Sequence, residues 1–225
     1  MRALVLADGS SVGRTDLDTA WPGWDRDIAL VIAADGGARL AAGLGVVVDA
    51  WVGDGDSLRE LDRRDLLDRG VAVEPVSPDK DESDAELAIL EAVRRGASDV
   101  TIIGALGGAR LDHALANITL LAHPTLEGTG ARLLSASARV TLLVGGSARS
   151  ACVLTGRSGD LVTLLPLGGD AGGVTVSGLR FPLVGERLVG GSTRGLSNVR
   201  TAPECVVELD SGWLLVVETP ATLPE

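Results

Sequence analysis

Apolar residues in the first 135 positions concentrate in short runs of strand length, at residues 3–7, 28–34, 50–52, 71–76, 100–103 and 132–135. Runs of four to eight apolar residues without polar alternation are what a strand buried on both faces requires, as in a parallel sheet. Between them lie stretches of helical character. Ser57-Leu-Arg-Glu60 is a capping box, predicting a helix to Arg69 that Gly70 stops. Ser83-Asp-Ala-Glu86 is a second box, opening a helix that ends at Arg95 before Gly96. A third helix is expected from about Arg110 to Leu121. Strands alternating with helices predict a parallel α/β sheet.

After about residue 137 the pattern changes. Short β-branched runs at residues 140–144, 161–165, 174–176, 205–209 and 213–218 are separated by Gly, Ser, Pro and Asp, with no helical stripe. That half reads as a small antiparallel sandwich or barrel. The expected organisation is an α/β domain over residues 1–136 and an all-β domain over 137–225.

Composition narrows the function. The chain of 225 residues is 45% hydrophobic, enough for a real core, so disorder is excluded. It holds 31 acids against 20 bases, nineteen of the bases being Arg and one being Lys80. Its aromatics number five: Trp21, Trp24, Trp51, Trp213 and Phe181. A nucleic-acid binder needs basic surface and stacking platforms, and this chain is short of both. Two Cys and two His, without metal-ligand spacing, make no disulfide framework and no ready zinc site. No run approaches a membrane span, and the N-terminal apolar run is too short for a signal peptide, so a cytoplasmic protein is expected.

The acidity is local. Residues 49–91 hold fourteen acids and five bases, a net of −9, which leaves −2 for everything else. Glu60, Asp62, Asp65 and Asp68 interleave with arginines and read as a solvated helix face. Gly53-Asp-Gly-Asp-Ser57 is different: it directly follows an apolar run and precedes a helix, so Asp54 and Asp56 fall in a strand-end loop. Open α/β sheets bind ligands at such ends. Asp79-Lys-Asp-Glu-Ser-Asp84 likewise links a strand to a helix N-terminus. Crowded carboxylates repel one another unless a cation compensates them, and Mg²⁺ prefers one or two carboxylates plus substrate phosphates. Asp, Gly and Ser also dominate turns for backbone reasons, but two such loops in one sheet favour a Mg²⁺–nucleotide site. Lys80 inside the acidic motif suits an ammonium that meets a phosphate.

A third motif runs Gly104-Ala-Leu-Gly-Gly-Ala-Arg-Leu-Asp-His-Ala-Leu-Ala-Asn117. A Gly-rich turn leading from a strand into a helix presents backbone N–H groups to anions. Arg110, His113 and Asn117 recur at helical spacing; Arg110 suits a phosphate, and Asp112 suits orienting Arg110 or a metal-bound water. His113 taken alone reads as a hydrogen-bonded structural residue. An EF-hand starting at Asp79 fails at Asp84 and Leu90, Walker A lacks its Gly-Lys pair, and no G-x-G-x-x-G follows a strand.

Taken in order, these motifs resemble the thiamine pyrophosphokinase family: Asp35-Gly-Gly37, the 53–57 loop, the 79–84 box, the 104–117 box, Ser177-Gly-Leu-Arg-Phe-Pro-Leu183, and a late Gly195-Leu-Ser-Asn198. Gly55 stands where the family has Phe, Ser83 where it has Thr, and Ala109 is an extra residue before Arg110. The resemblance implies an α/β catalytic domain that binds ATP and Mg²⁺, followed by a β-rich thiamine-binding domain. It implies transfer of pyrophosphate from ATP to the thiamine hydroxyl with release of AMP. It further implies Mg²⁺ on Asp54, Asp56 and Asp84 with Asp81 close by. Lys80 and Arg110 would neutralise phosphate, and Asp56 or Asp112 would accept the hydroxyl proton. Nucleotide contacts are expected at Asp35, Gly36, Gly37, Lys80, Arg110, His113 and Asn117, thiamine contacts at Ser197 and Asn198. A homodimer is expected.

Competing readings are a Mg²⁺ pyrophosphokinase acting on another heterocyclic alcohol such as a hydroxymethylpterin, a phosphatase using Asp54-x-Asp56, and a non-catalytic nucleotide-binding regulator. Trp213 is the aromatic nearest in sequence to the late Ser-Asn pair among those of the β domain's last strands, and reads equally as core.

Overall fold

A computed structural model of the chain describes residues 1–55, 64, 66–68, 70–77 and 80–221. The chain divides into two compact units, Met1–Ala136 and Ser137–Glu225.

The first unit is built on strands β1 (Arg2–Leu6), β2 (Ile28–Ala34), β3 (Ala50–Gly53), β4 (Ala72–Pro75), β5 (Asp99–Ile103) and β6 (Gly130–Leu134). Within this unit they lie in the order β6-β5-β1-β2-β3-β4, and all five pairings are parallel. All six overlap the runs rich in apolar residues, with β6 starting two residues earlier than its run. Helices α1 (Arg14–Ala20), α2 (Leu40–Leu44), α3 (Asp84–Arg94) and α4 (Leu111–Leu120) connect them, with a 3₁₀ turn at Asp35–Arg39. Leu4, Leu6, Val31 and Ala33 cluster with Leu17 and Ala20 of α1 and with Ala41 and Leu44 of α2. Helix α3 packs against β1, β2 and β3. Strands covered on both sides have no polar face to show, which is why their sequences lack alternation.

Helix α3 starts where its capping box places it: Ser83 Oγ accepts from the Glu86 N–H at 3.2 Å. Residues 64 and 66–68 have helical backbone; the Ser57–Glu60 box lies outside the described residues. Helices α1 and α2 carry no sequence signal of this kind. They span seven and five residues, and neither has a side-chain cap.

The second unit contains two four-stranded antiparallel sheets. One has the order β12 (Asn198–Val199), β9 (Leu161–Pro166), β14 (Trp213–Thr219), β7 (Arg139–Val144); the other is β11 (Leu183–Leu188), β10 (Ala171–Ser177), β13 (Glu204–Glu208), β8 (Ala151–Thr155). Leu143, Val162, Leu164, Leu214 and Val216 of the first sheet share one core with Leu154, Val174, Val176, Cys205 and Val207 of the second. This is a β-sandwich. A buried ion cluster closes it: Arg200 donates to Glu218 at 2.8 Å, and Arg139 holds the same carboxylate through two bonds at 2.6 and 2.7 Å.

Candidate active site

In the first unit the strand order reverses direction between β1 and β5, since β2, β3 and β4 lie on one side of β1 while β5 and β6 lie on the other. A crevice opens at the carboxyl ends of strands at such a switch point. A cleft of about 510 Å³ is found there, lined by residues following β1 (Ala7, Asp8, Gly9), β2 (Ala34, Asp35) and β5 (Gly104, Ala105, Gly107–Arg110). Lys80, Ser83 and Asp84 line it from the start of α3; His113, Ala114 and Asn117 line it from α4.

Each wall has a physical reason to be where it is. Asp35 follows β2 directly, is buried, and takes the left-handed backbone region at φ +42°, which Asp tolerates better than most residues. Its carbonyl is held by Trp51 of β3, whose indole N–H donates at 3.0 Å. A Cβ on Gly36 would displace the Asp8 carboxylate and Arg39 Nη2, whereas Gly37 must be glycine for space, because a Cβ there would lie 2.0 Å from the Leu6 carbonyl oxygen of the backbone. Arg39 in turn donates to Asp8 Oδ1 at 2.6 Å, so the Asp8 carboxylate is fixed above the Asp35-Gly-Gly37 turn.

The Gly-rich loop after β5 is tied to the helix it opens: Asn117 Nδ2 of α4 donates to the Ala105 carbonyl at 2.9 Å. At the N-cap of α4, Arg110 makes a two-bond pair with Asp112, at 2.9 and 2.6 Å. That guanidinium holds the Asp112 carboxyl well below the usual carboxylate range. Both side chains are exposed. The pair fits Asp112 as the residue that orients Arg110, one of the two roles its position suggests. Lys80 is mostly buried and forms an ion pair with Asp84, the first residue of α3.

Of the expected site residues, the cleft therefore gathers Asp35, Lys80, Asp84, Arg110, His113 and Asn117. Gly36 and Gly37 are buried in the adjoining 3₁₀ turn. His113 is exposed on the cleft wall. Asp54 follows β3 but does not line the cleft, and Asp81 is exposed beside it without lining it. Asp56 lies outside the described residues. Among the described residues no three His, Cys, Asp or Glu side chains converge as a ready metal cage. Gly55, which stands where the family has Phe, sits at φ +82°, a backbone region open to glycine and rarely taken by other residues. Asp8 and Gly9 were not foreseen; the signal for them is that they follow the run at residues 3–7 as directly as Asp35 follows its own run.

Ser197 and Asn198 belong to the second unit. Ser197 has φ +55°, and its N–H donates to Thr163 Oγ1 at 2.9 Å. Asn198 is buried; its Oδ1 accepts from the Phe181 and Val199 N–H groups at 3.0 and 2.9 Å, and its Nδ2 donates to the Phe181 carbonyl at 2.7 Å.

Comparison with known proteins agrees with this arrangement. Residues 24–133 match the family model "Thiamin pyrophosphokinase, catalytic domain", and residues 153–214 match "Thiamin pyrophosphokinase, vitamin B1 binding domain". The chain belongs to the thiamin pyrophosphokinase family. A thiamine pyrophosphokinase of Bacillus subtilis is 26% identical over 92% of this chain and 90% of its own length. Thiamine pyrophosphokinase 1 of Arabidopsis thaliana is 29% identical over 77% of this chain and 66% of its own length. The fold is shared with crystal structures of thiamine pyrophosphokinase from Bacillus subtilis (TM-score 0.82, 23% identity, 98% and 99% of the two chains) and thiamin pyrophosphokinase from Candida albicans (TM-score 0.75, 15% identity, 97% and 90%). Family membership makes the chain a thiamine diphosphokinase by class. The catalytic-domain match spans every cleft residue from Asp35 to Asn117 and leaves Asp8 and Gly9 outside it; the vitamin-binding match spans Phe181, Ser197 and Asn198. No described helix is long and apolar enough to cross a membrane.

Proposed function

We propose that this protein transfers the pyrophosphoryl group of ATP to the hydroxyl of thiamine, giving thiamine diphosphate and AMP, with Mg²⁺ as the required cation. The observation that carries the reading is the switch-point cleft, where glycine-rich backbone, one Lys, one Arg and several carboxylates line one cavity. Backbone N–H groups of the Gly104–Arg110 loop at the head of α4 suit the nucleotide phosphates. Lys80 and Arg110 supply point and forked positive charge to the transferred group. Phosphoryl-type transfer needs positioning and charge neutralisation more than covalent catalysis, and the cleft offers cationic and backbone N–H groups for both.

The donor set fits Mg²⁺. Asp8, Asp35 and Asp84 line the cleft, with Arg39 paired to Asp8 and Lys80 to Asp84, so a bare triphosphate entering it would bring its own negative charge onto carboxylates whose cations are already engaged. A divalent ion carried with the phosphates removes that repulsion and needs only one or two carboxylates from the protein. Asp84 is the candidate among the carboxylates that line the cleft, and Asp54, which stands outside that lining, and Asp56 belong to the set read from the motif. Asp112 is assigned to orienting Arg110 rather than to taking the hydroxyl proton, because a carboxyl held that low is a weak base.

Two further expectations belong to this reading. A homodimer is supported by α4, which buries none of its residues and exposes Leu111 and Leu115 one turn apart. A cytoplasmic location is supported by two unpaired thiols, Cys152 and Cys205. The deciding experiment incubates the protein with ATP, thiamine and either Mg²⁺ or a chelator. AMP and thiamine diphosphate formed in equal amounts, only with the metal, are expected; ADP, or phosphate released without thiamine, would overturn the proposal.

A further inference from the structure

The Asp35 turn after β2 and the Asp54 loop after β3 leave adjacent parallel strands. What joins them is a side chain that reaches neither the cleft nor solvent. Trp51 of β3 is 1% exposed and stands opposite Ala33 of β2, two residues before Asp35. Its indole N–H donates to the Asp35 carbonyl at 3.0 Å. Its six-membered ring runs on beneath the next loop. A Cβ placed on Gly53 would lie 2.9 Å from Trp51 Cζ2 and 2.9 Å from Asp35 Cβ, and one on Gly55 would lie 3.7 Å from Trp51 Cη2. Gly53 and Gly55 flank Asp54. One rigid side chain therefore holds the backbone of Asp35 by a hydrogen bond and lies beside both neighbours of Asp54.

Filling a core does not require this placement. Trp21 and Trp24 belong to the same core cluster, and their indole N–H groups go to Ser135 and Asp18, neither of which lines the cleft. Of these three bonds, only that of Trp51 ends on a cleft residue. It also ends where the backbone is strained. Asp35 is held at φ +42°, at a cost of the same order as one buried hydrogen bond, so a single indole N–H is enough to keep or lose that conformation. The 3₁₀ turn Asp35–Arg39 starts at this residue, so its geometry depends on the same bond.

We propose that Trp51 is a positioning residue for the Mg²⁺–nucleotide site, fixing the Asp35 turn and the Asp54 loop relative to each other so that both meet one Mg²⁺–triphosphate. The inference rests on the activity proposed above. The test compares the wild type with Trp51→Phe, which keeps a ring and loses the N–H, and with Trp21→Phe, which loses a matching bond that ends outside the cleft. Calorimetry without thiamine measures the Kd of α,β-methylene-ATP with Mg²⁺, an analogue whose pyrophosphoryl group cannot be transferred. Kinetics give the KM for thiamine and the Mg²⁺ concentration for half-maximal rate. Trp51→Phe should raise the analogue's Kd and the Mg²⁺ requirement by about five- to tenfold, the worth of one buried hydrogen bond, with the KM for thiamine within about twofold of wild type. Trp21→Phe should lose stability but bind the analogue as the wild type does. An unchanged Kd in Trp51→Phe, or an equal rise in Trp21→Phe, would overturn the inference. The ¹⁵N-labelled wild type supplies a measurement that needs no change at position 51. Its Trp51 indole N–H resonance, identified by assigning the other three through Trp21→Phe, Trp24→Phe and Trp213→Phe, should shift when the Mg²⁺ analogue binds, while that of Trp21 stays in place. An unmoved Trp51 signal, or an equal shift of Trp21, would overturn the inference as well. A wild type that binds no Mg²⁺–nucleotide would overturn the proposed activity, and this inference with it.

Discussion

Replacing Glu91 by Gln should weaken the fold without touching the chemistry. Glu91 lies on α3, seven residues past Asp84, and is buried to 6% exposure. Arg94 grips it with Nε and Nη2, both at 2.5 Å, and Arg95 adds an ion pair. The same two arginines reach Glu74 of β4 at 3.2 and 3.3 Å, so the cluster ties the C-terminal end of α3 to the sheet. Hydrogen bonding from Arg94 is the main cause that holds the Glu91 carboxyl down from 4.5 to about 2, against the opposing effect of burial. A depressed carboxyl stabilises the folded state fully above its unfolded value, and that stabilisation drains away as pH falls towards the folded one. A shift of this size is worth about 3 kcal/mol at neutral pH and about half of that near pH 3. Urea denaturation of wild type and Glu91→Gln across pH 7 to 3 should therefore show a gap that is widest at neutral pH and narrows with acid. At pH 7 the KM values for ATP and thiamine should stay within about twofold, since uncoupled sites add independently. A gap below about 1 kcal/mol at pH 7, or one that does not change with pH, would refute the claim that the charge of Glu91 anchors the helix, because surface pairs give no more than that.

Four other outcomes are expected. Gly104→Ala should destabilise the first unit by about 2–4 kcal/mol in thermal or urea melts, because φ is +79° there and a Cβ would press on the Ala7 carbonyl and on Leu40 Cδ1 at 2.9 Å. Lys80→Met should lower kcat/KM by about 10- to 100-fold through loss of a charged phosphate contact, with stability changed by less than about 1 kcal/mol. Asp112→Asn should leave the acidic limb of the pH–rate profile where it is, since Arg110 holds that carboxyl below the working range; its effect should appear as a raised KM for ATP, smaller than that of Arg110→Ala. Asn198→Ala should raise the KM for thiamine, because that side chain belongs to the expected thiamine contacts and holds the Phe181 backbone through two bonds.

The strands of the first unit are legible because burial on both faces leaves no choice of residue: β2 is Ile-Ala-Leu-Val-Ile-Ala-Ala, and five of its seven residues are buried. The α3 start is legible because Ser83 caps it with its own side chain. What fails to show is whatever has one weakly buried face or borrows its order from elsewhere. Strand β11, Leu-Val-Gly-Glu-Arg-Leu, lies at the edge of its sheet and exposes Val184 at 82%, so no period of two survives in its sequence. Strand β8 buries one residue of five. Strand β12 has two residues, and its partners are set by Thr163, Asp160 and Phe181, all distant in sequence.

The site divides along the same line. Lys80, Asp84 and Arg110 are legible because each sits in a dense local motif, and a motif needs no knowledge of strand order. Asp8 stands in no motif; it matters because β1 lies between β2 and β5, a fact of topology that residues 1–10 cannot carry. The shared lining of the cleft by Asp8, Asp35 and Asp84 is thus a product of parallel pairing, which brings the ends of three separate βα units to one edge. Asn198 is the converse case. Its motif singles it out, but contact with a ligand and support of a neighbouring segment look identical in a string of letters. Only the Phe181 backbone, held at 3.0 and 2.7 Å, distinguishes them. The Oδ1 of that amide is taken by the Phe181 and Val199 N–H groups and one Nδ2 proton by the Phe181 carbonyl, so a ligand can draw on its second Nδ2 proton alone.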